Sequence, residues 1–163
     1  MTAAPGPLYS DSPAATERFG AAVGAVLRAG DVLVLSGPLG AGKTCMVRGM
    51  VAGAGGNPAA VRSPTFVLHQ PHRGAALTVH HIDLYRLGAG ADVEVLDLVT
   101  ALCDGAAVIE WGEYADLREF VPATISIDAE PEAPPNRRVL RLADPAPPHL
   151  AGAWRALAVR ASR

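Results

Sequence analysis

Residues 31–44 read DVLVLSGPLGAGKT, an apolar run of strand type that leads into a glycine-rich turn. Residues 37–44 match the pattern G-x-x-x-x-G-K-[ST] of a phosphate-binding loop (P-loop) without a mismatch. The backbone of such a loop turns its N–H groups inward around an anion, and the helix that follows directs its positive end at the same point. Because a strand pattern precedes the motif and a helix pattern follows it, the sequence predicts a nucleotide site in an α/β fold.

The side chains of this loop predict how it binds ATP with Mg²⁺. Lys43 is expected to reach the β- and γ-phosphates, and the hydroxyl of Thr44 to coordinate Mg²⁺. Lys43 is also the only lysine of the chain, which suggests a position where a planar guanidinium does not replace a compact ammonium group. The loop residues expected to contact the nucleotide are Gly37, Leu39, Gly40, Ala41, Gly42, Lys43, Thr44 and Cys45.

Length and composition predict a cytoplasmic protein with one P-loop domain over residues 1–163, of which 1–9 are expected to be flexible. The chain has 163 residues, half of them apolar, which is enough for one core. No apolar run is long enough to span a membrane, and the first residues lack the features of a signal peptide. The net charge is −2 and the arginines are scattered, which argues against strong direct binding of RNA.

Helical and strand patterns alternate along the chain, which favours a P-loop NTPase-type three-layer fold with a mixed central sheet. Helices are predicted over residues 13–29, 43–54, 92–103 and 150–159. In the third helix, Val93, Leu96, Val99 and either Ala101 or Leu102 are expected to face inward. Strands are predicted over residues 31–36, 65–70, 76–85, 106–109, 124–128 and 138–142, with turns at 71–74 and 131–135.

Two carboxylates stand at the ends of predicted strands. Asp83 closes the run 79–82, and Glu110 closes the run 106–109. Hydrolysis of ATP needs a second contact to Mg²⁺ besides the threonine hydroxyl. The run before Glu110 is the more typical of a central strand, so we expect Glu110 to hold Mg²⁺, directly or through water, with Asp83 as a second acid. The reverse assignment, and an ordinary strand-end role for either acid, stay open.

Three further features lie near these acids. The segment Ser63-Pro64-Thr65 follows the P-loop helix, where P-loop hydrolases often place a hydroxyl that senses the γ-phosphate; from these residues alone a plain turn is the preferred interpretation. His80 and His81 are neighbours on a strand and point to opposite faces, so they are not expected to share a metal ion. Trp111 packs either near the nucleotide or over the core.

Four blocks of the sequence together resemble the TsaE (formerly YjeE) family, bacterial ATPases of tRNA threonylcarbamoyladenosine synthesis. The blocks are GPLGAGKT at 37–44, VRSPTF at 61–66, HIDLYRL at 81–87 and IEW at 109–111. Their order and spacing agree with the family, and the third block is the most distinctive. The chain departs from the family pattern at Cys45, His72 and Gly112, where the family often has a hydroxyl residue, tyrosine and proline.

The resemblance implies an ATPase that works with the proteins TsaB and TsaD, which attach threonylcarbamoyl to adenosine, and that meets tRNA only indirectly. It implies a catalytic set of Lys43, Thr65, Asp83 and Glu110. It implies magnesium ligands among Thr44, Asp83 and Glu110. Thr16 would lie near the base or ribose, and Trp111 near the nucleotide.

Two other functions remain open. One is an ATP-gated assembly factor whose hydrolysis is incidental, and the other is a small-molecule P-loop kinase, although no lid with clustered arginines is present. Neither a water-activating base nor an arginine finger is identified. Arg86 is a candidate for the finger, but a packed, ion-paired role in its strand is the preferred interpretation.

Overall fold

A seven-stranded mixed sheet runs through the computed structural model, which describes residues 5–161. The strands in chain order are β1 (Leu8–Ser10), β2 (Val32–Ser36), β3 (His69–Arg73), β4 (Thr78–Asp83), β5 (Gly105–Glu110), β6 (Ala123–Ala129) and β7 (Arg138–Leu142). In space their order is β1-β7-β6-β2-β5-β4-β3. The inner strands β6, β2, β5 and β4 are parallel to one another, and the outer strands are antiparallel to their neighbours.

Helices cover both faces of the sheet. They are α1 (Pro13–Gly24), α2 (Lys43–Gly53), α3 (Leu98–Asp104) and α4 (Pro148–Ala161), with short 3₁₀ segments at Pro58–Ala60, Val93–Leu96, Gly112–Tyr114 and Arg118–Phe120. One core joins the sheet to α1, α2 and α4, and a smaller core joins the opposite face to α3 and the 3₁₀ segments. The predicted three-layer α/β fold with a mixed sheet is confirmed. No helix within residues 5–161 has the length and apolarity needed to cross a membrane.

The helix that follows the P-loop is held close to α1 by glycines. A Cβ atom on Gly24 would lie 2.1 Å from the carbonyl oxygen of Met50, and one on Gly49 would lie 2.1 Å from that of Glu17. Backbone therefore packs on backbone where α1 crosses α2, and nothing larger than glycine fits at either position. This contact anchors α2, and with it the phosphate loop at its start.

The elements that carry the P-loop lie where the sequence predicts them. β2 spans Val32–Ser36 and α2 spans Lys43–Gly53. The strand expected beside the P-loop strand is β5, which pairs in parallel with β2. The predicted antiparallel pair near the C-terminus is β6 with β7.

The N-terminal region departs from the prediction at two points. Within the stretch 1–9 that was predicted to be flexible, Leu8 is fully buried in β1, whereas residues 1–4 lie outside the described part. The helix expected over 13–29 ends at Gly24, after which Val26 and Leu27 donate to carbonyl oxygens three residues earlier. This tighter turn places Leu27 in the core.

The first predicted hairpin strand is shifted along the chain. A strand was expected over 65–70 with a turn at 71–74, but β3 covers His69–Arg73 and includes Pro71. β3 is the last strand of the sheet, so the missing N–H of Pro71 leaves no ladder bond unmade. Thr65 lies in a loop instead, and this frees its hydroxyl to reach the site described below.

The helix expected over 92–103 is interrupted. Asp97 has a positive φ of 43° and separates a 3₁₀ segment from α3. The break rotates the apolar face, so that Leu98 and Ala101 are buried whereas Val99 is 70% exposed. The expectation that Val99 faces inward is therefore wrong, while Leu96 does lie in the core.

Candidate nucleotide site

The P-loop lies at the carboxyl end of β2, where the chain turns into α2. Gly40 and Gly42 have positive φ values of 77° and 105°, which other residues adopt only with strain. Gly42 is also the N-cap of α2, and no side chain caps the first N–H groups of that helix. These donors and the helix dipole therefore remain available to an anion.

Lys43 is held at the loop from which it extends. Its Nζ donates hydrogen bonds to the carbonyl oxygens of Gly37 at 2.6 Å and Pro38 at 3.0 Å. The same atom lies 4.2 Å from the centre of the Trp111 ring, a cation–π distance. The ammonium group thus rests between two carbonyl oxygens and a ring face.

The electrostatic surroundings of Lys43 combine burial with negative charge. The side chain is 5% exposed, and this burial lowers its pKa. The carboxylates of Glu110, Glu113 and Asp83 oppose that shift because they favour the charged form. Lys43 is therefore a largely buried cation held among three carboxylates.

The two strand-end acids lie side by side. Asp83 of β4 and Glu110 of β5 are direct partners in the parallel ladder. Both are buried, with exposed fractions of 2% and 4%. Thr44 donates its hydroxyl to Oε1 of Glu110 at 2.8 Å, which joins the start of α2 to the end of β5.

These oxygens suit a magnesium ion that arrives with a nucleotide. Thr44, Asp83 and Glu110 line one cleft of about 300 Å³. Mg²⁺ prefers hard oxygen ligands and is commonly bound through one or two carboxylates together with phosphate oxygens. Within residues 5–161, no group of three or more His, Cys, Asp and Glu side chains could hold a metal ion by itself. The donor set therefore fits an ion whose remaining ligands are phosphates and water.

The loop after α2 contacts Asp83. Thr65 and Ser63 donate their hydroxyls to Oδ2 of Asp83 at 2.8 and 3.1 Å. Oδ1 of the same carboxylate accepts the backbone N–H of Tyr85 at 2.8 Å. The hydroxyls of the segment Ser63-Pro64-Thr65 are thus hydrogen-bonded to Asp83, so the segment is more than a plain turn.

A smaller cleft of about 100 Å³ lies on the other side of the P-loop. It is lined by Gly40–Gly42 together with Thr16, Cys45 and Arg138. The Thr16 hydroxyl is buried and bonds that of Ser10 at 2.7 Å. The residue predicted to lie near the base therefore borders a separate cleft beside the loop.

Cys45 turns its thiol away from the loop. Its Sγ donates to the carbonyl oxygen of Pro13 at 3.2 Å and lies 3.7 Å from Oε1 of Glu17. Burial first, and then Glu17, raise the pKa of this thiol to about 11. The side chain is therefore a neutral thiol at physiological pH, and only its backbone is suited to a phosphate.

Trp111 lies at the mouth of the larger cleft and has a positive φ of 59°. Its ring centre is 5.0 Å from that of Tyr85 and 5.5 Å from that of Tyr114. The ring contacts Lys43 and also packs against the smaller core, so the tryptophan lies both at the site and over that core.

Most of the predicted residues come together. The larger cleft is lined by the P-loop residues Leu39 to Cys45 and by Thr65, Asp83, Glu110 and Trp111. Gly37 contributes its carbonyl oxygen to Lys43. The guanidinium of Arg86 lies 4.8 Å from the centre of the exposed Phe66 ring. Arg86 is exposed in the turn after β4, so the expectation of a packed role within its strand is wrong.

The site includes two contacts that the sequence reasoning missed. Nε2 of His81 lies 2.8 Å from Oε1 of Glu110. Nε of Arg138 donates to the carbonyl oxygen of Ala41 in the P-loop at 3.3 Å. The period of two along a strand could have revealed the first, since His81 and Asp83 share one face of β4. Nothing in the sequence indicates the second.

The two adjacent histidines do face opposite sides of the sheet. His80 contacts His69 at 2.9 Å and Asp104 at 3.2 Å, whereas His81 contacts Glu110. They cannot share an ion, as the alternation of strand side chains predicts.

Comparison with known proteins agrees with this architecture. The family model of the threonylcarbamoyl adenosine biosynthesis protein TsaE matches residues 10–139. A tRNA threonylcarbamoyladenosine biosynthesis protein TsaE from Streptomyces coelicolor is 50% identical over 91 residues, which cover 54% of this chain and 61% of that protein. The protein of the same name from Treponema pallidum is 40% identical over 129 residues, covering 76% and 90%.

Coverage differs among these relatives. The matches span about three fifths of the Streptomyces coelicolor protein, at 61%, and of the Mycobacterium tuberculosis TsaE, at 63%. The crystal structure of Bacillus subtilis YdiB superimposes with a TM-score of 0.67 over 100% of this chain and 97% of that one, at 22% identity. At that identity the superposition establishes the fold alone. Since the family model covers most of the chain and the relatives agree with it, the chain belongs to the TsaE family of threonylcarbamoyl adenosine biosynthesis proteins.

Proposed function

We propose that this protein is a magnesium-dependent ATPase that supports the formation of threonylcarbamoyladenosine in tRNA. One observation carries the proposal: Lys43 and Thr44 of the P-loop face the in-register acids Asp83 and Glu110 across a single cleft. A P-loop supplies phosphate binding, and acids at the ends of the neighbouring strands supply the second requirement of hydrolysis.

Lys43 and the loop backbone would stabilise the transferred phosphoryl group. The ammonium group lies on the P-loop, and the N–H groups at the start of α2 have no side-chain cap. When phosphates enter, Lys43 would exchange the carbonyl oxygens of Gly37 and Pro38 for phosphate oxygens. These donors would then balance the negative charge that moves towards the β–γ bridge as water attacks in line.

Thr44, Glu110 and Asp83 would hold Mg²⁺. The bound ion would neutralise charge on the β- and γ-phosphates. The hydroxyl of Thr44 already faces Glu110, so its exchange of a carboxylate partner for the ion would be a short movement. Asp83 would contribute the second carboxylate and, through Thr65, would connect the site to the loop after α2.

Partner proteins would complete this machinery. Family membership supports a role with TsaB and TsaD, the proteins that transfer the threonylcarbamoyl group. The mouth of the cleft offers surface for contact, because Leu39 and Phe66 beside it are 75% and 84% exposed. Direct contact with tRNA is not part of the proposal, since the net charge is −2 and the arginines are scattered along the sequence.

An alternative function is favoured by the hydrogen bonds that residues of the site already make within the chain. Lys43, Thr44 and Thr65 are all bonded to other residues of the chain, and each must exchange partners before it can serve a nucleotide. Such a site suits slow hydrolysis. An ATP-gated assembly factor, in which binding rather than hydrolysis does the work, is therefore the alternative.

The test is ATP hydrolysis by the purified protein, alone and with TsaB and TsaD. We expect a low rate that rises when the partners are added. Lys43→Ala should lower turnover by about 10²–10³-fold, the usual effect of losing a group that stabilises transition-state charge. Arg48→Ala is the matched control, because Arg48 lies on the same helix and pairs with Glu17 outside the cleft.

Three outcomes would contradict the proposal. Full turnover in Lys43→Ala with an intact fold would mean that the nucleotide site is wrongly assigned. A rate indifferent to both partners would remove the role in tRNA modification. If a variant that binds ATP without hydrolysing it still supported repeated rounds of modification, the assembly-factor alternative would hold.

A further inference from the structure

His81 is a buried histidine bonded to a site acid. It lies on β4, its exposed fraction is 0%, and its Nε2 is 2.8 Å from Oε1 of Glu110. Because side chains alternate along a strand, His81 and Asp83 share the face of β4 that looks towards α2. The imidazole therefore lies beneath the P-loop helix, behind the acids and away from the mouth of the cleft.

The two ring nitrogens of His81 have different surroundings. Because a carboxylate oxygen accepts, a hydrogen bond between Nε2 of His81 and Oε1 of Glu110 assigns the N–H to Nε2. Nδ1 of the same ring is buried and has no hydrogen-bond partner among residues 5–161. An unsatisfied buried nitrogen lowers stability, and a leucine or methionine would fill the volume without it. The packing of the core alone thus gives no reason for a histidine here.

The same carboxylate oxygen receives two donors. Oε1 of Glu110 accepts from His81 on one side and from the hydroxyl of Thr44 on the other, both at 2.8 Å. Two donors from different elements fix the side-chain rotamer of Glu110. They also leave Oε2 as the oxygen of that carboxylate that can serve a ligand in the cleft.

We propose that His81 is a positioning residue, whose Nε2–H holds the carboxylate of Glu110 in the orientation that magnesium-bound ATP requires. His81 acts through Glu110 and touches neither nucleotide nor metal. This inference rests on the proposed ATPase function. The inference adds to that function a residue whose contribution depends on one N–H group. The effect of this N–H can be measured separately from the effect of packing the ring.

The test compares two substitutions of nearly equal shape. His81→Gln keeps an N–H donor near the position of Nε2, whereas His81→Met keeps the length and removes the donor. His80→Gln is the control, since His80 is adjacent but faces the other side of the sheet. Each variant is assayed for kcat, for KM, and for ATP affinity with Mg²⁺ and with EDTA, and circular dichroism verifies the fold.

We expect the kcat of His81→Met to fall about tenfold or more, the usual cost of removing a group that orients a metal ligand. The increase in its ATP affinity that Mg²⁺ produces should fall by about the same factor. Its ATP affinity in EDTA should stay within about twofold of that of the unmodified protein, because the P-loop is untouched. His81→Gln should recover most of both losses. Equal behaviour of the Gln and Met variants, or unchanged magnesium dependence in the Met variant, would overturn the inference.

A spectroscopic measurement without nucleotide tests the contact between His81 and Glu110 even if an activity variant does not fold. In ¹⁵N–¹H spectra of the imidazole rings, His81 should be the Nε2–H tautomer, and Glu110→Ala should shift its signals while those of His80 remain. An Nδ1–H tautomer would overturn the inference, because no donor would then face Glu110. If the unmodified protein does not hydrolyse ATP, the proposed function fails; if it does and His81→Met matches it, only the role of His81 fails.

Discussion

The hydroxyl of Thr44 donates a 2.8 Å hydrogen bond to Oε1 of Glu110, so the first turn of the P-loop helix is joined to the end of the neighbouring strand. The two residues are far apart in the sequence and meet only because β5 pairs with β2. This bond brings a hydroxyl of the P-loop helix into direct contact with a buried carboxylate of the sheet. Several of the expected properties of the protein depend on it.

Glu110→Gln should abolish most hydrolysis while it preserves the fold. The amide oxygen of glutamine still accepts from Thr44 and His81, so the structural bonds survive and only the negative charge is lost. We expect a loss of kcat of about a hundredfold, and a smaller gain in ATP affinity on adding Mg²⁺. Steady-state assays over a range of Mg²⁺ concentrations measure both quantities.

The matched control is Glu113→Gln. Glu113 also acts electrostatically on Lys43 but does not line the larger cleft. It should retain turnover within a few fold. Equal losses in the two variants would mean that general electrostatics, and not the contact with Thr44, explains the role of Glu110.

Tryptophan emission should report nucleotide binding. Nζ of Lys43 lies 4.2 Å from the Trp111 ring, a contact on the order of 0.5–2 kcal/mol. Phosphates that draw Lys43 away change the surroundings of this ring, whereas Trp154 of α4 is fully buried in the core. A titration with ATP should therefore change the emission of the unmodified protein and of Trp154→Phe.

The same titration of Trp111→Phe should leave the emission constant. A change that persists in Trp111→Phe but disappears in Trp154→Phe would place the nucleotide-sensitive region elsewhere. Lys43→Ala provides a further check, since its emission before nucleotide is added should already differ from that of the unmodified protein.

Cys45 should react slowly with thiol reagents despite its place beside the P-loop. Its pKa is raised from 9.0 to about 11, by burial and then by Glu17. The thiol therefore stays neutral at neutral pH, and the thiolate appears only as the pH approaches 11, which lowers reactivity with iodoacetamide by about a hundredfold relative to an unshifted thiol. Peptide mass spectrometry can follow Cys45 and the exposed Cys103 separately.

Glu17→Gln should accelerate the alkylation of Cys45, because it removes a negative charge that disfavours the thiolate. Cys103 supplies the internal control in every sample. Alkylation of Cys45 as fast as that of Cys103 at pH 7.5, in the folded protein, would contradict the expected shift.

Two glycine-to-alanine substitutions in helices should have opposite effects on stability. A Cβ at Gly49 would lie 2.1 Å from the carbonyl oxygen of Glu17, so α1 and α2 would have to separate. We expect a loss of about 1–3 kcal/mol in the free energy of unfolding, the usual cost of overpacking. At Gly152 of α4 a Cβ meets no atom within 4 Å, so alanine should add about 0.5–1 kcal/mol through helix propensity.

Chemical denaturation with urea measures both free energies. Loss of stability in Gly152→Ala, or none in Gly49→Ala, would mean that the close crossing of α1 and α2 does not limit the fold as described. Because α2 begins at the P-loop, Gly49→Ala should also weaken ATP binding, whereas Gly152→Ala should not.

Local sequence was sufficient to predict the strand, the glycine loop and the helix of residues 32–53, because periodicity and turn chemistry act over a few residues. It was also sufficient to place Asp83 and Glu110 at strand ends, and the apolar character of residues 106–109 indicated that the strand before Glu110 lies beside the P-loop strand. The shifted strand β3 escaped prediction because Pro71 usually marks a turn, and only a place at the edge of the sheet makes it acceptable. The break at Asp97 escaped because the spacing of apolar residues looks helical across it.

By itself, the sequence of this protein determined the phosphate loop, the α/β class and the identities of the acids. Those features depend on residue types at short spacing, where backbone conformation and side-chain chemistry are local properties. Only the tertiary structure decided which partners these residues meet: Trp111 over Lys43, Thr65 on Asp83, and His81 behind Glu110. Such contacts join separate strands, helices and loops, and their geometry depends on strand order and register, which no short stretch of sequence contains.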